Sequence, residues 1–230
     1  MNPSLPPGQR ETAAFPRFGL RHFARRFPSQ TSKPVLQITG LVSNELSLED
    51  PLAHLPRVEQ TSDFHCVTTW SRRSLRWGGV RFVDFFETVL KPRAFPDAAA
   101  TLVALRGQDG ARTALPLEDL LSPDVLLADT LDGMPLDIDH GAPLRLVAPQ
   151  HYGYKSVKHL SRIELRLPAS GYRVSALKLM DHPRARAAQE ERGRFFFPGW
   201  LLRYLYKPLI RSTVALFEEA SRERKVKAGG

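Results

Sequence analysis

Asp63-Phe64-His65-Cys66-Val67-Thr68-Thr69-Trp70-Ser71 holds the one cysteine of the 230-residue chain. The β-branched and aromatic residues around it predict extended backbone over 58–61 and 65–70. A lone cysteine in such a stretch has two readings. It is a small buried apolar residue, or its thiolate is a nucleophile or a ligand for a soft metal. A polar, Thr-rich setting beside a histidine, in place of an aliphatic run, sharpens the second reading. His65 and Cys66 on one extended strand point to opposite faces, which disfavours a direct Cys–His pair.

A second constellation follows downstream, from Gly141-Ala142-Pro143-Leu144-Arg145 through Pro149-Gln150-His151-Tyr152-Gly153-Tyr154-Lys155-Ser156-Val157-Lys158-His159. Between 145 and 178, seven Lys/Arg stand against one Glu. Two lysines, Ser156 and Gly153 on a Pro-bounded loop suit a bound phosphate. Glycine lets backbone N–H groups approach, serine donates, and Lys and Arg neutralise. The other reading is an exposed basic loop and strand. No G-x-x-x-x-G-K-[ST] sequence occurs, so this is not a P-loop.

The net charge of +9 asks for an anionic partner, but its distribution matters more than its sum. Residues 1–33 carry six Lys/Arg against one acid, 34–180 sixteen against seventeen, and 181–230 eleven against six. The excess lies at the two ends. With one cysteine, an intrachain disulfide framework and multi-Cys zinc or iron–sulfur sites are excluded. The apolar runs are far shorter than a membrane-spanning helix needs. No helix-turn-helix, zinc finger or RNP-like signature is present, and the tail cations interleave with acids, so no nucleic-acid partner is expected. The N-terminus has no apolar h-region, and Arg25-Arg26 precedes Phe27-Pro28-Ser29-Gln30, unlike a twin-arginine signal, so a cytoplasmic address is expected.

Three segments are expected. Residues 1–33, Pro- and Arg-rich, form an N-terminal extension packing on the domain, with a short amphipathic turn around Phe18–Arg26. Residues 34–180 form the body. Strands are expected at 35–42, 101–105, 144–147 and 163–167. Helices are expected at 48–55, capped by Ser47, at 82–90 with helical apolar spacing, and at 117–121. Without a regular βαβ alternation, this mixture predicts an α+β domain with a mixed sheet. Residues 181–230 form a basic-aromatic tail. Its Phe195–Trp200 stretch reads as an aromatic turn, and beyond Pro208 the apolar positions 209, 210, 213, 216, 217 and 220 predict a helix.

In order and spacing, the cysteine segment and the run from Gly141 to Lys158 resemble the catalytic domain of the sulfite-oxidase-type molybdopterin oxidoreductases. Within that run, Tyr152-Gly153-Tyr154-Lys155-Ser156-Val157-Lys158 resembles the segment that wraps the pterin and its phosphate. Trp77-Gly78-Gly79-Val80, Leu115-Pro116-Leu117-Glu118-Asp119, Leu131-Asp132-Gly133-Met134-Pro135-Leu136 and Pro6-Pro7-Gly8-Gln9 also fit, and the likeness covers roughly 1–180. The resemblance implies the molybdopterin-binding fold of that family, one molybdenum-molybdopterin (Moco), and Cys66 as catalytic metal ligand. It implies that Arg145, Ser156 and Lys158 hold the pterin phosphate with Lys155 and Val157 alongside. Among the short stand-alone members, the chain resembles bacterial protein-methionine-sulfoxide reductase catalytic subunits, and His140 stands where these have a cofactor-contacting Asn. Arg17 and Phe18 stand where their N-terminal segment approaches the pterin. His65 and Thr68 flank the metal ligand.

The implied activity is oxygen-atom transfer on a small-molecule substrate, reduction of an S- or N-oxide. The alternatives are oxidation of a sulfite-like anion, and a non-enzymatic molybdopterin-binding protein of the same fold. Val67-Thr68-Thr69 replaces the Gly-Asn-Arg run that helps sulfite oxidases bind an anion, which weighs against sulfite. Ala111 replaces an expected aromatic, and Arg184–Arg194 with the tail replaces a Gly-Tyr-rich end. With neither a haem nor a dimerisation domain in view, electrons are expected to pass to or from a separate donor or acceptor protein. For the tail, docking on its own domain is favoured over a dimer or redox-partner contact, and membrane-surface contact is least favoured. Deleting 195–230 is accordingly expected to leave metal content unchanged.

Overall fold

The alternation of Val35-Leu36-Gln37-Ile38-Thr39-Gly40 buries Leu36 and Ile38 and exposes Gln37, the signature of a strand with one face on a core. In the computed structural model, which describes residues 4–29, 32–168, 182–193 and 198–229, this segment is one of eleven strands. They are β1 (Arg10–Glu11), β2 (Val35–Gly40), β3 (Leu46–Glu49), β4 (Arg57–His65), β5 (Trp70–Arg81), β6 (Leu102–Gly107), β7 (Arg112–Pro116), β8 (Leu126–Leu131), β9 (Met134–Pro135), β10 (Arg145–Val147) and β11 (Leu160–Arg166). Two sheets result. One runs β3-β2-β11-β6-β7. The other runs β1-β5-β8-β10, with β4 on β5 and β9 on β8. The β1–β5 and β2–β11 pairs are parallel and the rest antiparallel, so both sheets are mixed.

Phe82–Ala94 is helical throughout, as α1 (Phe82–Phe85), a π-helical turn (Phe86–Leu90) and α2 (Lys91–Ala94). It buries Phe82, Phe85 and Leu90 in the principal core beside Leu36, Ile38, Leu105, Leu115 and Ile163. The single turn α3 (Leu117–Leu120) follows β7. A smaller cluster of Leu75, Trp77, Leu126, Ala128 and Val147 fills the other face of the β5 sheet.

Two expectations are corrected. Residues 48–55 are not a helix. Leu48 and Leu46 lie opposite Leu36 and Ile38 across the β2–β3 pair, and that cross-strand burial outweighs local helix signals. Pro51 and the left-handed backbone at Asp50 (φ 52°) and His54 (φ 64°) then keep 50–55 in turns. Nor is 65–70 continuous strand. Cys66–Thr69 is a turn between β4 and β5, closed by Thr69 N–H donating to Cys66 C=O at 3.1 Å.

Among the described residues the tail forms α4 (Gly199–Tyr206) and α5 (Leu209–Gly229). Phe217 and Ala220 of α5 pack with Phe23, Ala24 and Phe27 of the N-terminal segment, whose expected turn is a 3₁₀ turn at Arg21–Phe23. Arg25 makes a two-armed ion pair with Glu223 (3.0 and 3.2 Å), and Ser221 Oγ–H donates to Asp139 at 2.8 Å. The tail is therefore part of the packing around 17–27 and 136–142, not a separable appendage. The aromatic run 195–197 and the 180/181 boundary fall outside the described residues.

Candidate cofactor site

The Cys66–Thr69 turn places a buried thiol between the two longest strands. Cys66 Sγ lies 3.1 Å from Thr68 Oγ1, and its backbone N–H donates to Trp70 C=O at 2.8 Å. Thr69 holds φ 86°, a conformation unfavourable to a β-branched residue and kept only by its surroundings. Those surroundings are specific. Arg192, fully buried, donates to Val67 C=O and, at 3.0 Å, to Pro7 C=O, and pairs with Glu190 at 3.2 Å. Gln9 donates to Cys66 C=O at 3.0 Å and accepts from Ser71 Oγ at 2.9 Å, while Ser71 bonds His65 Nδ1 at 2.8 Å. Burial pushes the Cys66 thiol up, against the Thr68 hydrogen bonds and the charges of Arg192 and Lys158, which favour thiolate. Burial also lowers the His65 pKa, so its ring is neutral and serves as a hydrogen-bonding partner of Ser71.

The second pole is cationic. Arg145 is fully buried, its guanidinium 4.7 Å above the Trp77 ring, with Nη1 donating to His140 C=O at 2.6 Å. Among the described residues its buried Nη2 has no hydrogen-bond partner. Burial lowers its pKa to about 9. Lys158 Nζ donates to Asp139 C=O at 2.6 Å, and burial, then the charges of Arg145 and Arg17, lower its pKa to about 7. Arg17 Nε lies 3.8 Å from Asp139, and its remaining nitrogens donate to the carbonyls of Phe23, Ala24 and Arg26. Gly141 (φ 117°) carries the chain between His140 and Arg145, where a Cβ would press on the Arg145 and Lys158 side chains. Clustering cations while leaving one buried donor unpaired is costly unless an anion is bound there.

Aromatic rings join the two poles. Trp70, the first residue after the thiol turn, packs against Phe15, Phe18 and Phe64 at 5.6–6.4 Å between ring centres, and among the described residues its buried Nε1 has no hydrogen-bond partner. Phe15 stacks on His140 at 4.9 Å, and His140 is fixed by Asp137 (2.8 Å) and Phe15 C=O (3.0 Å). Phe18 stacks on Phe217 of α5 at 6.5 Å. Gly153 faces Phe64, and a Cβ there would overlap the ring.

Of the residues expected from the sequence, the structure brings Arg17, His140, Arg145 and Lys158 into one cluster. It brings His65, Cys66 and Thr68 into another, with Phe18 on the aromatic wall between them. Three take structural positions. Lys155 Nζ donates to Ala114 C=O at 2.9 Å, Ser156 Oγ accepts from Ala148 N–H at 3.1 Å, and Val157 packs in the principal core. Sequence reasoning missed Arg192, Gln9 and Phe15. Gln9 lay in a Pro-Pro-Gly-Gln stretch already singled out, and Arg192 in a basic run seen only as a departure.

A soft thiol donor at one end and a buried cationic cradle at the other fit a ligand that is metal-seeking at one end and anionic at the other. Residues 25–171 match the oxidoreductase molybdopterin binding domain, and the chain belongs to that family. It is an oxidoreductase by that membership. The Bacillus subtilis oxidoreductase YuiH, itself uncharacterised, is 40% identical over 162 residues, covering 70% of this chain and 78% of YuiH. The protein-methionine-sulfoxide reductase catalytic subunit MsrP of Gluconobacter oxydans is 29% identical over 209 residues, and that of Xanthomonas campestris 29% over 173. The match spans 65% and 52% of these two reductases, and 76% and 64% of this chain. The sulfane dehydrogenase SoxCD of Paracoccus pantotrophus shares the fold at TM-score 0.55 and 24% identity, over 66% of this chain and 44% of that one.

Proposed function

We propose that the protein is a molybdenum-molybdopterin oxidoreductase that transfers an oxygen atom, in the direction of reducing an S- or N-oxide, with electrons from a separate donor protein. One observation carries the reading: a single buried thiol shares its electrostatic surroundings with a cationic cradle whose Arg145 Nη2 lacks a partner among the described residues. Cys66 would hold the metal as thiolate, with Thr68 Oγ–H donating to the sulfur. Arg145 and Lys158 would hold the pterin phosphate, with Ser156 two residues before Lys158 in the chain. Arg17, Phe18 and His140 would border the pterin. When bound, this group supplies the two-electron chemistry by which an oxygen atom moves to or from a substrate.

The chain's own residues set the terms of that chemistry. Arg192 and Gln9 fix the thiol turn through its backbone carbonyls, so the sulfur keeps one position. Phe15, Phe18 and Trp70 set a wall of rings beside the thiol turn. The Val67-Thr68-Thr69 turn offers hydroxyls and no cation, and Arg192 already directs its donors at Val67, Pro7 and Glu190. A neutral oxide suits this turn better than sulfite, since a dianion would be desolvated without a partner.

The test is expression in a molybdopterin-competent host, followed by elemental analysis and visible spectroscopy. Wild type is expected to hold stoichiometric molybdenum with a thiolate-to-metal absorption band, and Cys66→Ser to lose the band. Metal-free wild-type protein would sink the reading. Turnover of sulfoxides or N-oxides with a reduced dye, against sulfite with an oxidised one, decides direction.

A further inference from the structure

The tail was expected to bury its apolar residues on the domain, and α5 does so through Phe217 and Ala220. The preceding helix does not. In α4, Leu202 and Tyr206, one turn apart, face inward and are about 4% exposed. Trp200, Leu201, Tyr204 and Leu205 occupy the opposite side, at i, i+1, i+4 and i+5, and Leu209 continues the patch past Pro208. These five are between 37% and 61% exposed. They are half of all the large hydrophobic residues that the described part of the chain leaves exposed. A contiguous apolar patch of this kind is uncommon on a soluble surface and marks an interaction site.

Its charge surroundings select the occupant. From 194 to 217 the sequence has Arg194, Arg203, Lys207 and Arg211 and no Asp or Glu. Lys207 and Arg211 are exposed, and the Arg203 guanidinium lies 5.3 Å over the Tyr204 ring while reaching Glu190 at 3.7 Å. Trp, Tyr and Leu on one face with Lys and Arg beside them is the composition of a helix that lies in a bilayer interface. The rings and aliphatics enter the headgroup boundary while the cations meet anionic lipid. A second copy of the chain would set the exposed Lys207 and Arg211 against their own counterparts. Among the described residues no helix is long and apolar enough to cross a membrane, so the fitting mode is lying on it. We propose that α4 is an interfacial anchor that seats the protein on an anionic lipid surface, with Trp200, Leu201, Tyr204, Leu205 and Leu209 inserted and Lys207 and Arg211 at the phosphates.

The anchor is coupled to the body. Glu190 takes both Arg203 of α4 and Arg192, which holds the thiol turn. A docked α4 would thus bring the Cys66 end of the protein toward the lipid surface.

The experiment uses the full chain with phosphatidylcholine vesicles with and without phosphatidylglycerol, in cosedimentation and Trp fluorescence. Partition is expected into anionic vesicles only, with a blue shift of emission that Trp200→Phe abolishes. Lys207→Gln and Arg211→Gln are each expected to weaken partition about fivefold, and Leu205→Gln to weaken it at least as much. All these side chains are exposed, so the variants keep the fold, checked by circular dichroism. Failure to bind anionic vesicles, equal binding to neutral ones, or a concentration-dependent dimer that Leu205→Gln dissolves would each overturn the proposal. Metal loading plays no part in the readout, so the outcome is independent of the oxidoreductase reading.

Discussion

Lys158→Met should make the cofactor-free protein more stable while removing its affinity for phosphate. Burial and the charges of Arg145 and Arg17 lower the Lys158 pKa from 10.5 to about 7. At 1.36 kcal/mol per unit, the charged ammonium therefore costs the fold up to about 5 kcal/mol relative to the unfolded chain. A base with a depressed folded pKa imposes this cost fully below about pH 7, and the cost is relieved as pH rises toward 10.5, where the unfolded chain also releases its proton. Methionine removes the charge and keeps most of the volume, but leaves Asp139 C=O without its 2.6 Å donor, at about 1–3 kcal/mol. The net expectation is a gain of about 2–4 kcal/mol at neutral pH that vanishes by about pH 10. Urea unfolding of cofactor-free protein across that range measures it. Wild-type stability should climb with pH relative to the variant, and inorganic phosphate should raise the wild-type midpoint alone. A variant less stable than wild type at pH 7, with equal response to phosphate, would refute the reasoning and leave Lys158 as a brace for Asp139.

Arg192→Met leaves the Val67 and Pro7 carbonyls buried without their donor, so it should cost about 2–5 kcal/mol; it should also speed reaction of Cys66 with a maleimide. Gly153→Ala drives a methyl into the Phe64 ring, and about 1–3 kcal/mol should be lost, read as a lower urea midpoint with unchanged slope. Phe217→Ala removes the ring that stacks on Phe18 and carries the Arg17 guanidinium at 5.0 Å. It should cost about 3 kcal/mol and lower retained molybdenum. For the same reason, deleting 195–230 is now expected to deplete the metal.

Local chemistry was legible where it acts over short distance. The apolar spacing of Phe82–Leu90 marked the helix, with its π-turn invisible, and the cysteine and lysine segments announced the two poles. The strand at Leu46–Glu49 was missed because its stabilising partners, Leu36 and Ile38, lie in another strand, whereas Ser47, Glu49 and Asp50 advertise a helix start locally. The thiol turn was read as strand because Val67-Thr68-Thr69 is β-prone. What bends it is Arg192, 125 residues away from Val67, and no periodicity reports such a contact. Lys155 and Ser156 carry the residue types of a phosphate loop, yet the fold spends them on backbone groups of Ala114 and Ala148. Exposure on α4 was likewise hidden, since a helical apolar stripe reads the same whether it faces a core or a bilayer.

Arg192 lies beyond the family-matched region and clasps two distant stretches of backbone, at Val67 and Pro7. During synthesis, Cys66 leaves the ribosome long before Arg192 exists. The sheets can form around the thiol first, but the carbonyls of Val67 and Pro7 find their shared donor only when the last fifth of the chain arrives. The order of the thiol turn is thus deferred until Arg192 has been made. The clasp thereby ties the shape of the thiol turn to a residue made 125 positions after Val67.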